Sequence, residues 1–248
     1  NYIIKLRVKN PDKEKLSQIK NEGVLILTRL QCYGGWDYVL TVLTKEASSI
    51  LDFISSLYDS WKNDFLDYEI FEPIEVQFFP LKIFGLNTKE DKSILYETKR
   101  ENIDELDKKI INHIAKNARI KIVDLAEIVD EKVETVNYRL KKLENNIISG
   151  YRIFLDLNKI NFKLAQVRLR LSNLSKLNKS KILDYGNKRE KIHAVSIGVG
   201  KYNTLFQIIY ESPSELIEEI NSIKQNFSES LLEYELIHIE DELMPMTI

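Results

Sequence analysis

The spacing of apolar and polar residues predicts alternating strands and helices over the first 80 residues. Alternation over positions 2 to 9 predicts a strand, and the Asn10-Pro11-Asp12 turn predicts a helix start after it. Gly34-Gly35 predicts a tight turn between two further strands. Apolar residues three and four apart from Ile50 to Leu57 predict a second helix, and a last strand is expected from about Phe65 to Phe78. This βαββαβ order is typical of a ferredoxin-like fold, an antiparallel sheet with both helices on one face.

Three segments of this first unit recur later in the chain, in the same order and at nearly the same separation. The matching pairs are Ile4–Asn10 with Val167–Asn173, Gly34–Leu43 with Gly200–Ile209, and Asp67–Ile70 with Glu233–Leu236. One such pair could arise by chance between two strands, but three in register indicate a duplicated domain. The second copy is expected from about Leu164 to Met244, with Ser212-Pro213 as a helix start.

The segment between the two copies has a different pattern. Residues 81–102 are polar and turn-prone, which predicts a linker with one short helical piece. Three compact helical stripes follow between Leu106 and Leu143, and Ile147–Ile153 has a strand pattern. Three short helices followed by a strand describe a winged helix-turn-helix.

These elements define an α+β protein in which two ferredoxin-like βαββαβ domains flank a winged helix-turn-helix. The expected division is a first ferredoxin-like domain at 1–80, the linker at 81–102, the winged helix-turn-helix at 103–156 and a second ferredoxin-like domain at 157–248. Because the chain opens with Asn1 rather than Met, the question whether a segment precedes it is left open.

Composition excludes several classes of protein. The 248 residues are 44% hydrophobic, enough for one or more cores, so the chain is not a disordered tail. Its one cysteine, Cys32, cannot form a disulfide within the chain. No apolar run has the length of a membrane helix, and the start lacks a signal-peptide pattern. We therefore expect a soluble cytoplasmic protein that does not contact a membrane and needs no cofactor.

Residues of the central segment resemble the DNA-binding domain of Lrp/AsnC-family transcription regulators. The matching stretches are Leu106-Asp107, Asn117-Ala118-Arg119, Asp124-Leu125-Ala126, Thr135–Arg139, Leu143-Glu144, Gly150-Tyr151 and Asp156. The resemblance implies that the wing leads into a ferredoxin-like domain of the "regulation of amino-acid metabolism" type, with a further copy in the first 80 residues. Three positions depart from the family pattern: Asp130 and Asn146 replace turn glycines, and Lys132 replaces a serine cap. Asp and Asn tolerate left-handed backbone geometry, so both turns are expected to survive.

A helical wheel over residues 131 to 144 predicts which side chains reach DNA. The predicted DNA-contacting residues are Lys132, Glu134, Thr135, Tyr138, Arg139, Lys141 and Lys142. Thr135 and Tyr138 suit base edges or a thymine methyl, Glu134 suits a cytosine amino group, and the lysines suit phosphates. Arg139 lies at the edge of this helix face, and the alternative to a DNA contact is a structural role. Charges over 103–150 nearly cancel, so we expect modest non-specific affinity and a dimer that reads two half-sites of double-stranded DNA.

The resemblance also implies a small-molecule effector, such as an amino acid, near a Gly-x-x-Asp loop. The candidate effector-binding residues are Gly34 and Asp37 in the first copy and Gly200 and Asn203 in the second. Asn203 is neutral and cannot pair ionically with an ammonium group, so the first copy is the better candidate. The alternative is that Asp37 and Asn203 bond only to the backbone of their own turns.

The duplication leaves the pairing of the sensor-like domains open. The two copies could pair within one chain, or like copies could pair between two chains. Because only one winged helix is visible, pairing between chains, or a second winged helix before Asn1, suits a two-fold DNA site better.

Enzyme functions find little support in the sequence. His113, His193 and His238 lack metal-ligand spacing, and Gly198-Val199-Gly200 leads into a strand without a third glycine. Siroheme decarboxylase shares the winged-helix plus ferredoxin-like architecture, but its Arg-Arg-Ile-Gly run is replaced by Ser149–Arg152. We therefore expect a sequence-specific transcription regulator that is not an enzyme. The alternatives are a non-catalytic module that pairs with other regulators and a siroheme decarboxylase-like enzyme.

Overall fold

The computed structural model describes residues 1–19, 23–85, 94–96, 103–148, 150–151 and 155–243. The strands in these ranges are β1 (Tyr2–Val8), β2 (Leu25–Tyr33), β3 (Tyr38–Leu43), β4 (Phe65–Phe78), β5 (Ile94–Tyr96), β6 (Lys163–Leu171), β7 (Ile192–Val199), β8 (Thr204–Tyr210) and β9 (Leu231–Leu243). The α-helices are α1 (Lys13–Gln18), α2 (Ser48–Trp61), α3 (Glu105–Lys116), α4 (Ile122–Val129), α5 (Val133–Asn146), α6 (Lys176–Lys188) and α7 (Pro213–Asn226). Short 3-10 turns occupy Lys62–Asp64, Lys82–Phe84 and Leu157–Ile160.

The chain divides into two compact units. The first unit combines residues 1–93 with residues 156–246, and the second consists of residues 94–155 and 247–248. Both candidate ferredoxin-like copies therefore lie in one unit. The α+β class expected from the sequence is confirmed.

Each copy in the first unit forms a four-stranded antiparallel sheet in the ferredoxin-like order. The first sheet runs β2-β3-β1-β4, and the second runs β7-β8-β6-β9. Hydrophobic residues on one face of each sheet pack against the helices of the same copy, as in the clusters around Phe53 and Phe206. Burial of these two apolar faces supplies the main stabilisation of each copy.

The last strand of each copy extends beyond its own sheet and pairs with the other copy. The far end of β4 pairs with β7, from Glu72 opposite Val199 to Phe78 opposite Ala194. The far end of β9 pairs with β2, from Tyr33 opposite His238 to Arg29 opposite Leu243. Because β1 also pairs with β4, these eight strands close into a ring. The two copies thus pair within one chain, whereas the count of winged helices had favoured pairing between chains.

A third apolar cluster lies between the two sheets, on the faces that point away from the helices. Its members come from both copies and are Ile3, Leu30, Cys32, Trp36, Val39, Phe71, Leu205, Ile237 and Ile239. Each sheet therefore buries both of its faces over part of its area. Intrachain pairing of the sheets is consistent with this double burial.

The second unit contains three helices around their own apolar core. Ile110, Leu125, Val136 and Leu143 are fully or almost fully buried in it. A capping box starts α3, because Asp104 accepts from the Asp107 backbone and Asp107 accepts from the Asp104 backbone. The expected wing strand includes Ser149 and residues 152–154, which lie outside the described residues. In the expected linker, the short helical piece is the 3-10 turn at Lys82–Phe84, and residues 86–93 and 97–102 likewise lie outside.

Candidate functional site

Helix α5 presents most of the predicted DNA-contacting side chains on one exposed face. Val136 and Leu143 anchor its opposite face in the core of the second unit. The predicted residues Lys132, Glu134, Tyr138, Lys141 and Lys142 are exposed, and Thr135 and Arg139 are partly buried. Tyr138 is 69% exposed, which is unusual for a large aromatic side chain on a small unit. The arrangement can place an aromatic ring and three ammonium groups against one surface.

Arg139 is engaged by the same unit rather than free at the surface. Its Nη1 donates to Asp104 Oδ2 at 2.7 Å and lies 3.4 Å from both carboxylate oxygens of the buried Asp107. The charge of Asp104 raises the pKa of Arg139. The backbone amide of Asp107 and the nearby guanidinium hold the pKa of Asp104 below its usual value. Arg139 therefore links α5 to the start of α3. This is the structural role that was the alternative to a DNA contact in the sequence analysis.

The turn between α4 and α5 tolerates the missing glycine. Asp130 adopts a left-handed conformation, with φ 58° and ψ 51°, and its backbone amide caps α4. Lys132 occupies the cap position of α5 without a side-chain hydrogen bond. The expected left-handed turn at Asn146 is not found, because Asn146 is the last residue of α5 and the C-cap Ile147 has φ −123°.

Tyr151 connects the residues after α5 back to the helix. Its hydroxyl donates to Glu144 Oε1 at 2.8 Å. Burial and this bond raise the pKa of Tyr151 to about 12, so the hydroxyl keeps its proton at neutral pH. The pair gives a physical role to two positions that carry the family resemblance.

The candidate sensor loops make equivalent backbone contacts in the two copies. Asp37 Oδ2 accepts from the Val8 amide at 2.8 Å, and Asn203 Oδ1 accepts from the Leu171 amide at 3.0 Å. Asn203 also donates to the Leu171 carbonyl at 2.8 Å. Gly34 has φ 117° and Gly200 has φ 159°, so both loops begin in a conformation that favours glycine. Both polar side chains thus hold their hairpin against the first strand of the same copy.

A buried group of charged residues lies between the sheets, and the sequence reasoning missed it. Lys5 is completely buried, and its Nζ lies 2.9 Å from Glu69 Oε1 and 2.5 Å from Glu235 Oε2. Arg168, the counterpart of Lys5 in the repeat, is 1% exposed and donates to Gln166 at 2.8 Å. Burial lowers the pKa of Arg168 to about 10. The signal was present in the sequence as matched polar positions, Lys5 with Arg168 and Glu69 with Glu235.

The described residues contain no group of three or more His, Cys, Asp or Glu side chains placed to hold a metal ion. Among the same residues, none of the helices combines the length and apolar character needed to cross a bilayer.

Comparison with known proteins supports the predicted DNA-binding class. The family model for winged helix-turn-helix DNA-binding domains matches residues 103–146. An uncharacterized HTH-type transcriptional regulator of Pyrococcus furiosus, PF2053, is 24% identical over 148 residues, which cover 54% of this chain and 98% of the relative. The uncharacterized HTH-type transcriptional regulator PYRAB04820 of Pyrococcus abyssi is 36% identical over 66 residues, 26% of this chain and 45% of that protein.

Among solved structures, the crystal structure of PH0061 has a TM-score of 0.52 at 20% identity and covers 60% of this chain and 99% of its own. This likeness concerns the fold. With the family model and the two curated relatives, the chain contains a winged helix-turn-helix DNA-binding domain and is similar to HTH-type transcriptional regulators, which supports a DNA-binding transcriptional regulator. About half of the chain lies outside the match to PF2053.

Proposed function

We propose that this protein regulates transcription by inserting α5 into the DNA major groove and reading specific base pairs. The observation that carries the proposal is the exposed face of α5, where Tyr138 protrudes between Glu134 and the lysine pair Lys141 and Lys142. A major groove admits one helix, and its side chains can reach base edges while flanking lysines bind phosphates. Thr135, beside Tyr138, would add a hydroxyl or methyl contact.

Two chains are proposed to share one operator. Each chain supplies one described recognition helix, and the inner faces of its sheets are already covered within the chain. The outer helical faces stay available, and Leu51 on α2 and Ile217 on α7 lie at matching positions, 68% and 58% exposed. A second chain docked through such a face of the ferredoxin-like unit would complete a two-fold DNA site. The alternative is an interaction module that pairs with other regulators.

A small effector is proposed at the hairpin loops that contain Gly34, Asp37, Gly200 and Asn203. Gly34 and Gly200 are exposed at the start of each loop, where a carboxylate could approach the backbone. The amides of Asp37 and Asn203 already donate to the carbonyls of Leu6 and Leu169. Asp37 has one carboxylate oxygen, Oδ1, beyond its bond to Val8. Thermal shift of the wild-type protein with single amino acids would test this part, and stabilisation by none of them would contradict it.

The DNA proposal is tested by selecting bound duplexes from a random pool and titrating the enriched sequence by fluorescence anisotropy at several salt concentrations. We expect a two-fold symmetric site, two chains per duplex and affinity that falls steeply with salt. Tyr138→Ala should weaken the selected site more than a random duplex. Asn145→Ala, at an exposed position near the end of α5, is the matched control.

Failure to enrich any sequence would contradict the proposal and favour the interaction module. The proposal assigns the protein no catalysis, and tight stoichiometric binding of a tetrapyrrole would argue for the enzyme alternative. The proposal also places the protein in the cytoplasm, where it would reach a chromosome that no nuclear envelope encloses.

A further inference from the structure

The Lys5 ammonium is surrounded by Glu69, Glu235, Trp36 and Tyr202, which are called the cage below. Two carboxylates bind the Lys5 ammonium directly, Glu69 from the first copy and Glu235 from the second. Two aromatic rings flank it, with the Trp36 ring centroid 4.4 Å and the Tyr202 ring centroid 5.0 Å from Nζ. Aromatic faces and carboxylates at these distances are the combination that proteins use to bind ammonium ligands.

The cage is held in place by its own hydrogen bonds. Trp36 Nε1 donates to Glu235 Oε1 at 2.8 Å, so both oxygens of Glu235 have partners. The Tyr202 hydroxyl donates to Glu233 Oε1 at 2.9 Å, which fixes the ring over the ammonium. Trp36 and Tyr202 occupy matching positions in the two sensor loops. The loops of both copies thus meet at this one cation.

The two copies do not contribute equally to the cage. Arg168 stands where the repeat would place a second lysine, but its hydrogen bond goes to Gln166. Its Nε has no hydrogen-bond partner. Both carboxylates instead converge on Lys5. A homodimer with exact two-fold symmetry would have identical cations at both positions, so only a fused pair can hold one ammonium in this way.

We propose that the space between the two sheets is a binding site for a primary alkylammonium, and that Lys5 occupies it as a ligand tethered to the protein. The sensor pair therefore carries its own ammonium and joins its two copies through it. In the wild-type protein the cage is closed to free amines, so an effector at the loops would use other contacts. The inference goes beyond DNA binding and does not depend on it.

Chemical rescue tests the proposal. Lys5→Ala removes three carbons and the ammonium, which n-propylammonium replaces atom for atom. We expect Lys5→Ala to lower the Tm of the full chain, and n-propylammonium chloride to raise it again in a saturable way. The matched additive n-propanol, which lacks the charge, should restore little. Lys5→Met fills the volume without an ammonium and should not respond to the amine, and Glu235→Gln in the Lys5→Ala background should abolish the rescue.

The proposal is overturned if n-propylammonium stabilises Lys5→Ala no more than n-propanol does, or no more than it stabilises the wild-type protein. Lys5 would then be a structural ion pair only. If Lys5→Ala is recovered unfolded, the yield of refolding with n-propylammonium against n-propanol gives the same comparison. Thermal unfolding needs no DNA, so this outcome is separate from the outcome of the duplex selection.

Discussion

Single residues of this protein divide into those that can meet a partner and those that hold the fold. Arg139 and Lys142 are both cations on α5, three positions apart. Arg139 is bound by Asp104 and Asp107, whereas Lys142 is exposed at the end of the proposed DNA-binding face. Their different surroundings predict different losses on substitution.

Arg139→Met should lower the thermal stability of the winged helix-turn-helix, because it leaves the buried Asp107 carboxylate without its cation. Lys142→Met should leave stability unchanged, weaken binding to all duplexes and reduce the slope of log affinity against log salt by about one. Circular dichroism melting and anisotropy titration measure the two effects. Wild-type stability of Arg139→Met together with a reduced salt slope would instead make Arg139 a phosphate contact.

The thiol of Cys32 should be inert in the folded protein. Cys32 is 5% exposed between the sheets, and burial raises its pKa to about 12. The reactive species is the thiolate, so a disulfide reagent at pH 8 should label the native chain very slowly. In denaturant one thiol per chain should react at once. Rapid stoichiometric labelling of the native protein would show that the inter-sheet space opens readily.

At the scale of elements, the sequence predicted the strands and helices of both copies well but not what covers them. The final strand expected at Phe65 to Phe78 is β4, and the Gly34-Gly35 turn leads to β3 as expected. Alternation of apolar and polar residues, as in β1, is typical of a sheet with one solvated face. The second sheet covers that face, so Lys5 and Arg168 are buried although their spacing is typical of exposed positions.

In the helix-turn-helix, the sequence was enough to predict one turn but not the other. The left-handed Asp130 could be predicted, since a short polar side chain can replace glycine there. The end of α5 could not, because the local sequence allows Asn146 either to continue the helix or to turn. The recognition face was predictable from periodicity, whereas the bond of Arg139 to the capping box of α3 depends on tertiary packing.

The junction of β4 and β7 requires a residue without a side chain at position 198. A Cβ on Gly198 would overlap the backbone carbonyl of Glu72 in the other copy. Gly198→Ala should therefore destabilise the first unit by about 1–3 kcal/mol, the usual cost of overpacking. Gly35→Ala is the matched control, because nothing lies within 4 Å of a Cβ there. Equal melting temperatures for the two variants would mean that β4 and β7 can move apart at this position without a loss of stability.

For the whole molecule, pairing of the two ferredoxin-like copies within one chain makes the contact between their sheets part of the protein's own core. The closed ring of eight strands leaves the far ends of β4 and β9 paired instead of exposed. Unpaired edges invite association with other chains, so closure limits assembly to the outer faces. It also buries polar side chains between the sheets, with Tyr202 beside Lys5.

The free energy of unfolding should fall steeply at alkaline pH because several tyrosines are buried. Burial raises the pKa of Tyr38, Tyr185, Tyr202 and Tyr210 from 10.0 to about 12 in the first unit. A group whose pKa is raised by folding stabilises the protein fully below its unfolded pKa and loses that contribution as pH rises through the folded value. The loss is therefore expected between about pH 10 and pH 12. Arg168, whose pKa is lowered to about 10, opposes this loss, as do Lys5, Arg29 and Lys82, whose pKa values burial also lowers.

Tyrosinate absorbance against pH measures this directly. In denaturant all twelve tyrosines should ionise near pH 10, whereas in the native chain part of the absorbance change should come late and coincide with unfolding. Tyr202→Phe should reduce the late step, because burial raises the pKa of Tyr202 to about 12. A single native step near pH 10 would mean that solvent reaches these hydroxyls in the folded state.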